Sequence, residues 1–530
     1  MNRRVTGARI LRVAAAAVAV ATVAVGAARV YDVFCRERTP EFVGDYRAIA
    51  RDVPSGPVAM LCDDAGDVSP IERTKLAVLD WELFPDAVLP IEKSALAEWN
   101  GVVVDSVHVS DRRKMLFERA SFVPLASNGS ATVWGRRGKE CVPRPRDGGV
   151  SLAREFGGAL AALALLVYSW VAARGGAFRF KVLDISLAAL AFAVLSAVSL
   201  KVGFSAPNGF AVYAGKAKLF LAAGGVPQDF WASPEFAVCQ PSYPPGMVFP
   251  AIVSFAVSGG FGESLLQLFV PLALALLFLE IVGEGPRSPI RSLIALSFVL
   301  SPLAMRMAAG YYAEPMAALL VAMGLNAVKR GRSMRGWALV GVAALFRLEC
   351  LVLAAALLLC GGVCRESGKN DLKWWLRTAL CLSPGVAWNV FAILHGAHVQ
   401  GFDFFSFPSP HRICVASESA FASVLILRNG LVPLCLVAIA VAISIVHGER
   451  ILARKWLLAC FAALLAGIAI LGFNESAHYA WIVNNVMPRF VWLCALPLLV
   501  SDGDMALVLL RDISVSRSFS SAAKGAVFSC

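Results

Sequence analysis

Residues Gly209 to Pro250 read GFAVYAGKAKLFLAAGGVPQDFWASPEFAVCQPSYPPGMVFP. This stretch is a polar interruption between strongly apolar segments. It carries Lys216 and Lys218 two positions apart, the carboxylates Asp229 and Glu235, several aromatic rings, and a turn from Tyr243 through Pro244 and Pro245 to Gly246. Charge and stacking groups gathered in one long loop (204–258) between apolar helices point to a bound ligand there.

The sequence on either side sets the class. The 530 residues are 58% hydrophobic with a mean hydropathy of +0.68, above the roughly 45–50% apolar content of soluble domains. Apolar runs of about 17–25 residues recur, the length of a membrane-crossing helix. The alternating pattern of a membrane β-barrel is absent from the sequence. The chain therefore reads as a polytopic α-helical membrane protein. The formal net charge of +12 fits Lys- and Arg-rich cytoplasmic loops. No motif supports nucleic-acid binding.

About twelve spans are expected, near 10–28, 155–173, 182–202, 264–282, 290–306, 313–328, 336–346, 350–363, 376–396, 424–447, 456–473 and 485–500. The clusters Arg174/Arg179/Lys181, Lys329/Arg330/Arg332/Arg335, Arg365/Lys369/Lys373/Arg377 and Arg450/Arg454/Lys455 are all expected on the cytoplasmic side. That topology sets two conditions. The apolar stretch 247–258 must not cross fully, and 336–363 must be a hairpin of two short helices turning near Arg347 and Glu349. One long helix would place both charges in mid-membrane, an expensive position unless they lined a cavity.

Residues 1–30 have a basic start and an Ala/Val run, read as a signal-anchor helix with a cleaved signal peptide as the rival. Residues 31–150 read as a small exported α/β module. Strands are expected at Pro57–Cys62, Asp86–Ile91, Gly101–Val107 and Ser130–Arg136, with helices at Ser69–Phe84 and Ser110–Ala120. Asp63 and Asp64 at a strand end read either as a solvated loop or as a ligand or metal site. Of the 13 cysteines, many lie in apolar runs as small hydrophobes. Cys35, Cys62 and Cys141 lie in the exported module, where a disulfide is open in pairing. No zinc-ligand spacing occurs. Residues 501–530 read as a cytoplasmic tail.

In this topology one face collects the 31–150 module, the 204–258 loop, the turn at Tyr311–Glu314, the Arg347/Glu349 turn, the 397–423 loop and the stretch Phe473–Arg489. No GxxxxGK[ST] motif is present, so a reaction driven by a cytosolic nucleotide has no support.

Four pieces on that face carry a resemblance. They are Tyr213 with Lys216-Ala217-Lys218 and the Tyr243-Pro244-Pro245 turn; Tyr311-Tyr312 with Glu314-Pro315 opening a span; Arg347 and Glu349 breaking a short helix pair; and Pro488-Arg489-Phe490 with Pro497 following. Over about 155–500 the chain resembles the GT-C fold integral-membrane glycosyltransferases. These include dolichyl-phosphate-mannose mannosyltransferases, the aminoarabinose transferase of lipid A and relatives of the rhizobial lipopolysaccharide transferases. The resemblance implies a GT-C-like domain at 151–500 acting on the outer face of the cytoplasmic membrane. The sugar would pass from a polyprenyl-phosphate donor to a glycan, lipid or protein acceptor, amid membrane lipid. The family includes metal-dependent and metal-independent members, and no metal ligands or other cofactor are assigned.

The resemblance also implies roles. An acidic residue serves as base, with Glu314, Asp229 and Glu235 as candidates. Cations neutralise the departing phosphate, with Lys216, Lys218, Arg347 and Arg489 as candidates; Tyr243 and His478 complete the substrate set. Competing readings stand beside these. Glu314 also suits a helix N-terminus, Lys218 also suits a snorkelling interfacial lysine, and Arg347 with Glu349 also suits a structural ion pair. Relatives of this subtype carry Asp where this chain has Asn208, and Asn cannot accept a proton. A non-catalytic relative is therefore an alternative, as is a transporter of lipid-linked glycans.

Overall fold

The computed structural model describes residues 17, 20–30, 46, 48–50, 53–54, 58–61, 75–76, 78–79, 88–91, 95–96, 98–99, 102–105, 111–128, 131–137, 151–174, 180–204, 208–227, 230–231, 236, 239–262, 265–283, 289–360, 372–395, 408–425, 451–474 and 479–501. A short apolar helix, α1, covers Val20–Val30. Asp63, Asp64, Cys35, Cys62, Cys141 and most of the expected 424–447 span lie outside the described residues, as do positions 502–530 of the expected tail.

Five strands follow: β1 (Val58–Leu61), β2 (Val88–Ile91), β3 (Val102–Asp105), β4 (Phe122–Ser127) and β5 (Thr132–Arg136), with helix α2 (Asp111–Arg119) between β3 and β4. The sheet order is β2-β1-β3-β5-β4. β1 pairs in parallel with β2 and β3, and β5 is antiparallel to both β3 and β4. Alternation sorts the side chains between two layers. Val58, Met60, Val102, Val104 and Val133 pack in one cluster with Tyr46, Ile49, Leu76 and Leu79. Ala59, Leu61, Val103 and Trp134 pack in another with Phe117 of α2, whose ring stacks on Trp134 at 4.3 Å. Strand β4 was not among the expected strands. It contains Pro124, and its register shifts between Pro124 and Ala126, as an edge strand with a proline does.

The rest is helical: α3 (Leu152–Arg174), α4 (Val182–Val202), α5 (Lys216–Ala222), α6 (Val248–Ser258), α7 (Phe269–Gly283), α8 (Pro289–Val299), α9 (Pro302–Ala309), α10 (Glu314–Lys329), α11 (Ser333–Ala343), α12 (Glu349–Leu359), α13 (Leu372–Leu394), α14 (Pro410–Leu425), α15 (Ile451–Leu471), α16 (Tyr479–Cys494) and α17 (Leu496–Ser501). Among the described residues five helices are long and apolar enough to cross a membrane: Ala153–Arg174, Val182–Val202, Leu266–Gly283, Leu372–Leu394 and Ile482–Val500. The bent pair α8 and α9 makes a sixth if it counts as one span.

The expected run 290–306 is not one straight helix. It bends by 44° at Ser301, whose hydroxyl accepts from Ala304 N at 3.2 Å and is followed by Pro302, so a new N-terminus starts there. Helix α6 has 11 residues, about 16 Å of rise against a core of about 30 Å. It stops short of a crossing and packs along α3.

Helix α10 is the centre. Every residue from Glu314 to Val328 is buried, and α7, α11, α16 and α17 pack around it. A helix apolar on all sides belongs inside such a ring. Gly324 and Gly336 let α10 and α11 touch: a Cβ on Gly324 would sit 2.8 Å from the Gly336 carbonyl. Helix α11 leaves that contact and ends at Ala343, and α12 begins at Glu349. Arg347 in the break reaches Glu314 at the start of α10. Helix α11 therefore runs antiparallel to α10, and the described part of the expected 336–363 run holds two short helices rather than one long one. Exposed apolar side chains such as Phe156, Tyr168, Val182, Leu372, Leu380 and Leu394 cover the outer helices α3, α4 and α13.

At the other end of α10 Arg174 meets the cluster Lys329/Arg330/Arg335. Arg330 Nη1 donates to the Arg174 carbonyl at 3.3 Å, Arg335 donates to the Ala172 carbonyl, and Lys329 Nζ donates to the Val500 carbonyl at 2.7 Å. Buried Glu280 lies there too. It accepts from Trp170 Nε1 and Asn326 Nδ2, both at 2.8 Å, and pairs with Arg174 at 3.5 Å. An acidic residue in an apolar helix needs such partners.

Candidate functional site

The site is built at the N-terminal end of α10, where three segments far apart in sequence converge. Helix α9 ends in a six-to-one turn: Tyr312 N donates to the Met307 carbonyl at 3.0 Å and Tyr311 N to the Ala308 carbonyl at 3.3 Å. The left-handed position of such a turn usually falls to glycine. Here Tyr311 takes it, at φ +54°, one position after Gly310. Its ring is fixed by Phe204 at 5.4 Å and Tyr213 at 6.4 Å. This strained turn delivers Glu314 and Pro315 as the first residues of α10, and Pro315 fits there because an N–H at that position has no helical partner.

Glu314 is 2% exposed. Its Oε1 accepts from Arg489 Nη1 at 2.6 Å and lies 3.5 Å from Arg347 Nη2. Arg347 also pairs with Glu349. Arg489 comes from α16, where Pro488 interrupts the backbone ladder; its Nε donates to the Asn485 carbonyl at 2.8 Å, and its guanidinium lies over the Tyr312 ring at 4.6 Å. Arg347 lies over the Tyr243 ring at 5.9 Å. Burial opposes the Arg347 charge, but Glu314 and Glu349 outweigh it and hold its pKa well above the ordinary value. Two buried polar atoms here, Glu314 Oε2 and Tyr213 Oη, have no hydrogen-bond partner among the described residues. Buried polar atoms are rarely left so, and burial pushes the Tyr213 phenol up.

The Tyr243–Gly246 turn is held against this cluster. Gly246 N donates to the Leu345 carbonyl at 2.7 Å, next to Arg347. A Cβ on Gly246 would meet the Phe346 ring at 2.5 Å and that carbonyl at 2.6 Å, so only glycine allows the approach. Lys216 fixes the other side of the turn. It is fully buried, and its Nζ donates to the carbonyls of Gln240 and Tyr243, both at 3.2 Å. Burial lowers its pKa to about 7, against a small opposing effect of Cys239.

Of the sequence candidates, the structure thus brings together Glu314, Arg347, Arg489 and Tyr243. Lys216 supports their loop through backbone carbonyls. Lys218 lies over the Phe261 ring at 5.2 Å. Asp229, Glu235 and His478 lie outside the described residues, and Asn208 begins the π-helical segment Asn208–Gly215. Sequence reasoning passed over Asn485, which ties Arg489 and Arg306 together (Arg306 Nη2 to Asn485 Oδ1, 2.7 Å); the signal was two adjacent asparagines, Asn484 and Asn485, in an apolar run. Glu280 was also passed over, although a lone acid inside a span is itself a signal. Among the described residues no group of three or more His, Cys, Asp or Glu is placed to hold a metal ion.

The arrangement provides two guanidinium groups within reach of one point, a buried carboxylate with one oxygen that no side chain among the described residues engages, and aromatic faces beneath both cations. Guanidinium forks suit phosphate and carboxylate oxygens. Compared with protein-family models, curated proteins and solved structures, this chain finds no match.

Proposed function

We propose that this protein is a membrane glycosyltransferase that moves a sugar from a polyprenyl-phosphate donor to a cell-envelope acceptor. The observation that carries the reading is the convergence of Arg347 and Arg489 on Glu314. Arg347 and Arg489 bind the donor phosphate and stabilise the charge that grows as it leaves. Glu314 Oε2 accepts the acceptor's proton. The acceptor oxygen bonds to the anomeric carbon while the bond from that carbon to the phosphate oxygen breaks. The electron pair leaves with polyprenyl phosphate. Tyr243 and Tyr312 supply faces beneath the cations.

The same proposal places the protein in the cytoplasmic membrane with about twelve spans in a GT-C-like arrangement. The Glu314 end faces outward, together with the 31–150 module, and the Arg174/Arg330 end faces the cytoplasm. Asn208 favours a second reading, a non-catalytic relative that binds the lipid-linked sugar without turning it over.

The test is release of free polyprenyl phosphate from polyprenyl-phosphate sugars by the purified protein. The transferase reading expects release, with Glu314→Gln and Arg489→Ala each lowering it at least about a hundredfold, the scale of losing a general base or a charge-stabilising donor. Donor binding without release in the unmodified chain would select the second reading.

A further inference from the structure

Among the described residues paired at the site the charges already cancel. Arg347 and Arg489 bring two positive charges, and Glu314 and Glu349 bring two negative ones. An arriving phosphate would leave the set net negative where water is scarce, and an uncompensated charge there is costly. One carboxylate must therefore give up its arginine when an anion binds. The two are not equivalent. Glu314 is 2% exposed, opens the fully buried α10 and touches both arginines. Glu349 is 29% exposed, opens α12 and, among the described residues, pairs with Arg347 alone. A short rotation takes Glu349 into water, whereas Glu314 has nowhere to go.

We infer that Glu349 is a placeholder for the donor's phosphate. It holds Arg347 in position while the site is empty, and the incoming phosphate displaces it. The exchange leaves two arginines, Glu314 and one phosphate charge, so neutrality is kept and Glu314 stays in place. The N-terminus of α12 favours a negative group in either state. This inference rests on the lipid-phosphate reading of the site, and it assigns Glu349 a positioning role rather than contact with the reacting atoms.

The experiment measures binding of undecaprenyl phosphate, undecaprenol and inorganic phosphate at about pH 5, where a phosphate monoester carries about one charge like the donor's diester, to the full chain in detergent, scaled to the folded fraction, as the unmodified protein, Glu349→Gln, Glu349→Asp and Arg489→Ala. The expected result has three parts. Undecaprenyl phosphate binds in an Arg489-dependent way, Glu349→Gln binds it about tenfold tighter, equivalent to about 1.4 kcal/mol, and undecaprenol binding is unchanged by that substitution. A difference infrared spectrum on saturation should show a carboxylate band change that Glu349→Gln removes and Glu349→Asp keeps. Arg489-dependent binding with equal affinity in Glu349→Gln, or with no carboxylate band change in the unmodified chain, overturns the placeholder and leaves the functional reading standing. Equal tightening of inorganic phosphate and undecaprenyl phosphate supports the exchange for phosphate as such. Absence of any Arg489-dependent binding overturns both readings, and because the unmodified chain carries the infrared readout, a Glu349→Gln protein that fails to fold does not stop the test.

Discussion

Arg489 Nη1 lies 2.6 Å from Glu314 Oε1, although the two residues are 175 positions apart. This contact joins the late helix α16 to the first residue of the central helix. Removing one partner of a buried pair costs about 3–5 kcal/mol when the other charge is left uncompensated; Glu314 keeps Arg347 at 3.5 Å, so Arg489→Ala should lower stability by less than that range in denaturant unfolding in detergent. Adding Glu314→Gln should recover part of the loss, with a coupling of about 1–3 kcal/mol. Strict additivity of the two substitutions would rule out the contact as a thermodynamic link.

The approach of the Tyr243–Gly246 turn to Leu345 permits no side chain at Gly246. Gly246→Ala should cost about 1–3 kcal/mol by overpacking and should weaken donor binding more than its stability loss accounts for, since the turn carries Tyr243 against Arg347. Donor titration scaled to the folded fraction checks this. Equal donor affinity would detach the turn from the site.

Lys216 loses its proton near pH 7 in the folded chain, against an ordinary value of 10.5. Between those pH values the unfolded chain binds more protons, so stability rises with pH across that window. Below about 7 both states are protonated and the cost of the buried charge is present in full. The limiting slope is about 1.4 kcal/mol per pH unit. Melting curves from pH 7 to 10 should show this rise, and Lys216→Met should flatten it.

The opposite end of α10 supplies a control. Glu280→Ala strips Arg174 of its carboxylate and Trp170 and Asn326 of an acceptor. Stability should fall by about 3–5 kcal/mol, while undecaprenyl phosphate affinity per folded molecule stays within about twofold. A larger change in affinity would show that the two ends of α10 are coupled.

What the sequence disclosed follows from how each residue signals. Glu314, Arg347 and Arg489 stood out because charges at the ends of apolar runs are few, and each sat beside a proline or a helix break. Their convergence was an expectation of topology, and contact across 33 and 175 positions needed the packed bundle. Lys216 could not be oriented from sequence, because a lysine on a short helix carries no mark of which way it points; here its Nζ donates to the carbonyls of Gln240 and Tyr243. The run 290–306 looked continuous because Ser301-Pro302 is short, although that pair is also a helix-start signal. Strand β4 was passed over because Pro124 argues against a strand everywhere except at an edge. Tyr311 could not be read at all, since Gly310 beside it is the residue expected to turn left-handed.

The burial of α10 also bears on how the chain is made. At about 5–20 residues per second, the ribosome delivers Arg489 on the order of 10–35 s after Glu314. For that interval the carboxylate at the head of α10 has, among the described residues, Arg347 as its counter-ion, which emerges 33 positions later. Arg347, in the break between α11 and α12, is thus the earlier-made counter-ion of a carboxylate that lipid would not tolerate bare. A chain halted before α16 would carry Glu314 with Arg347 but without Arg489, and so would hold one buried carboxylate on a single arginine.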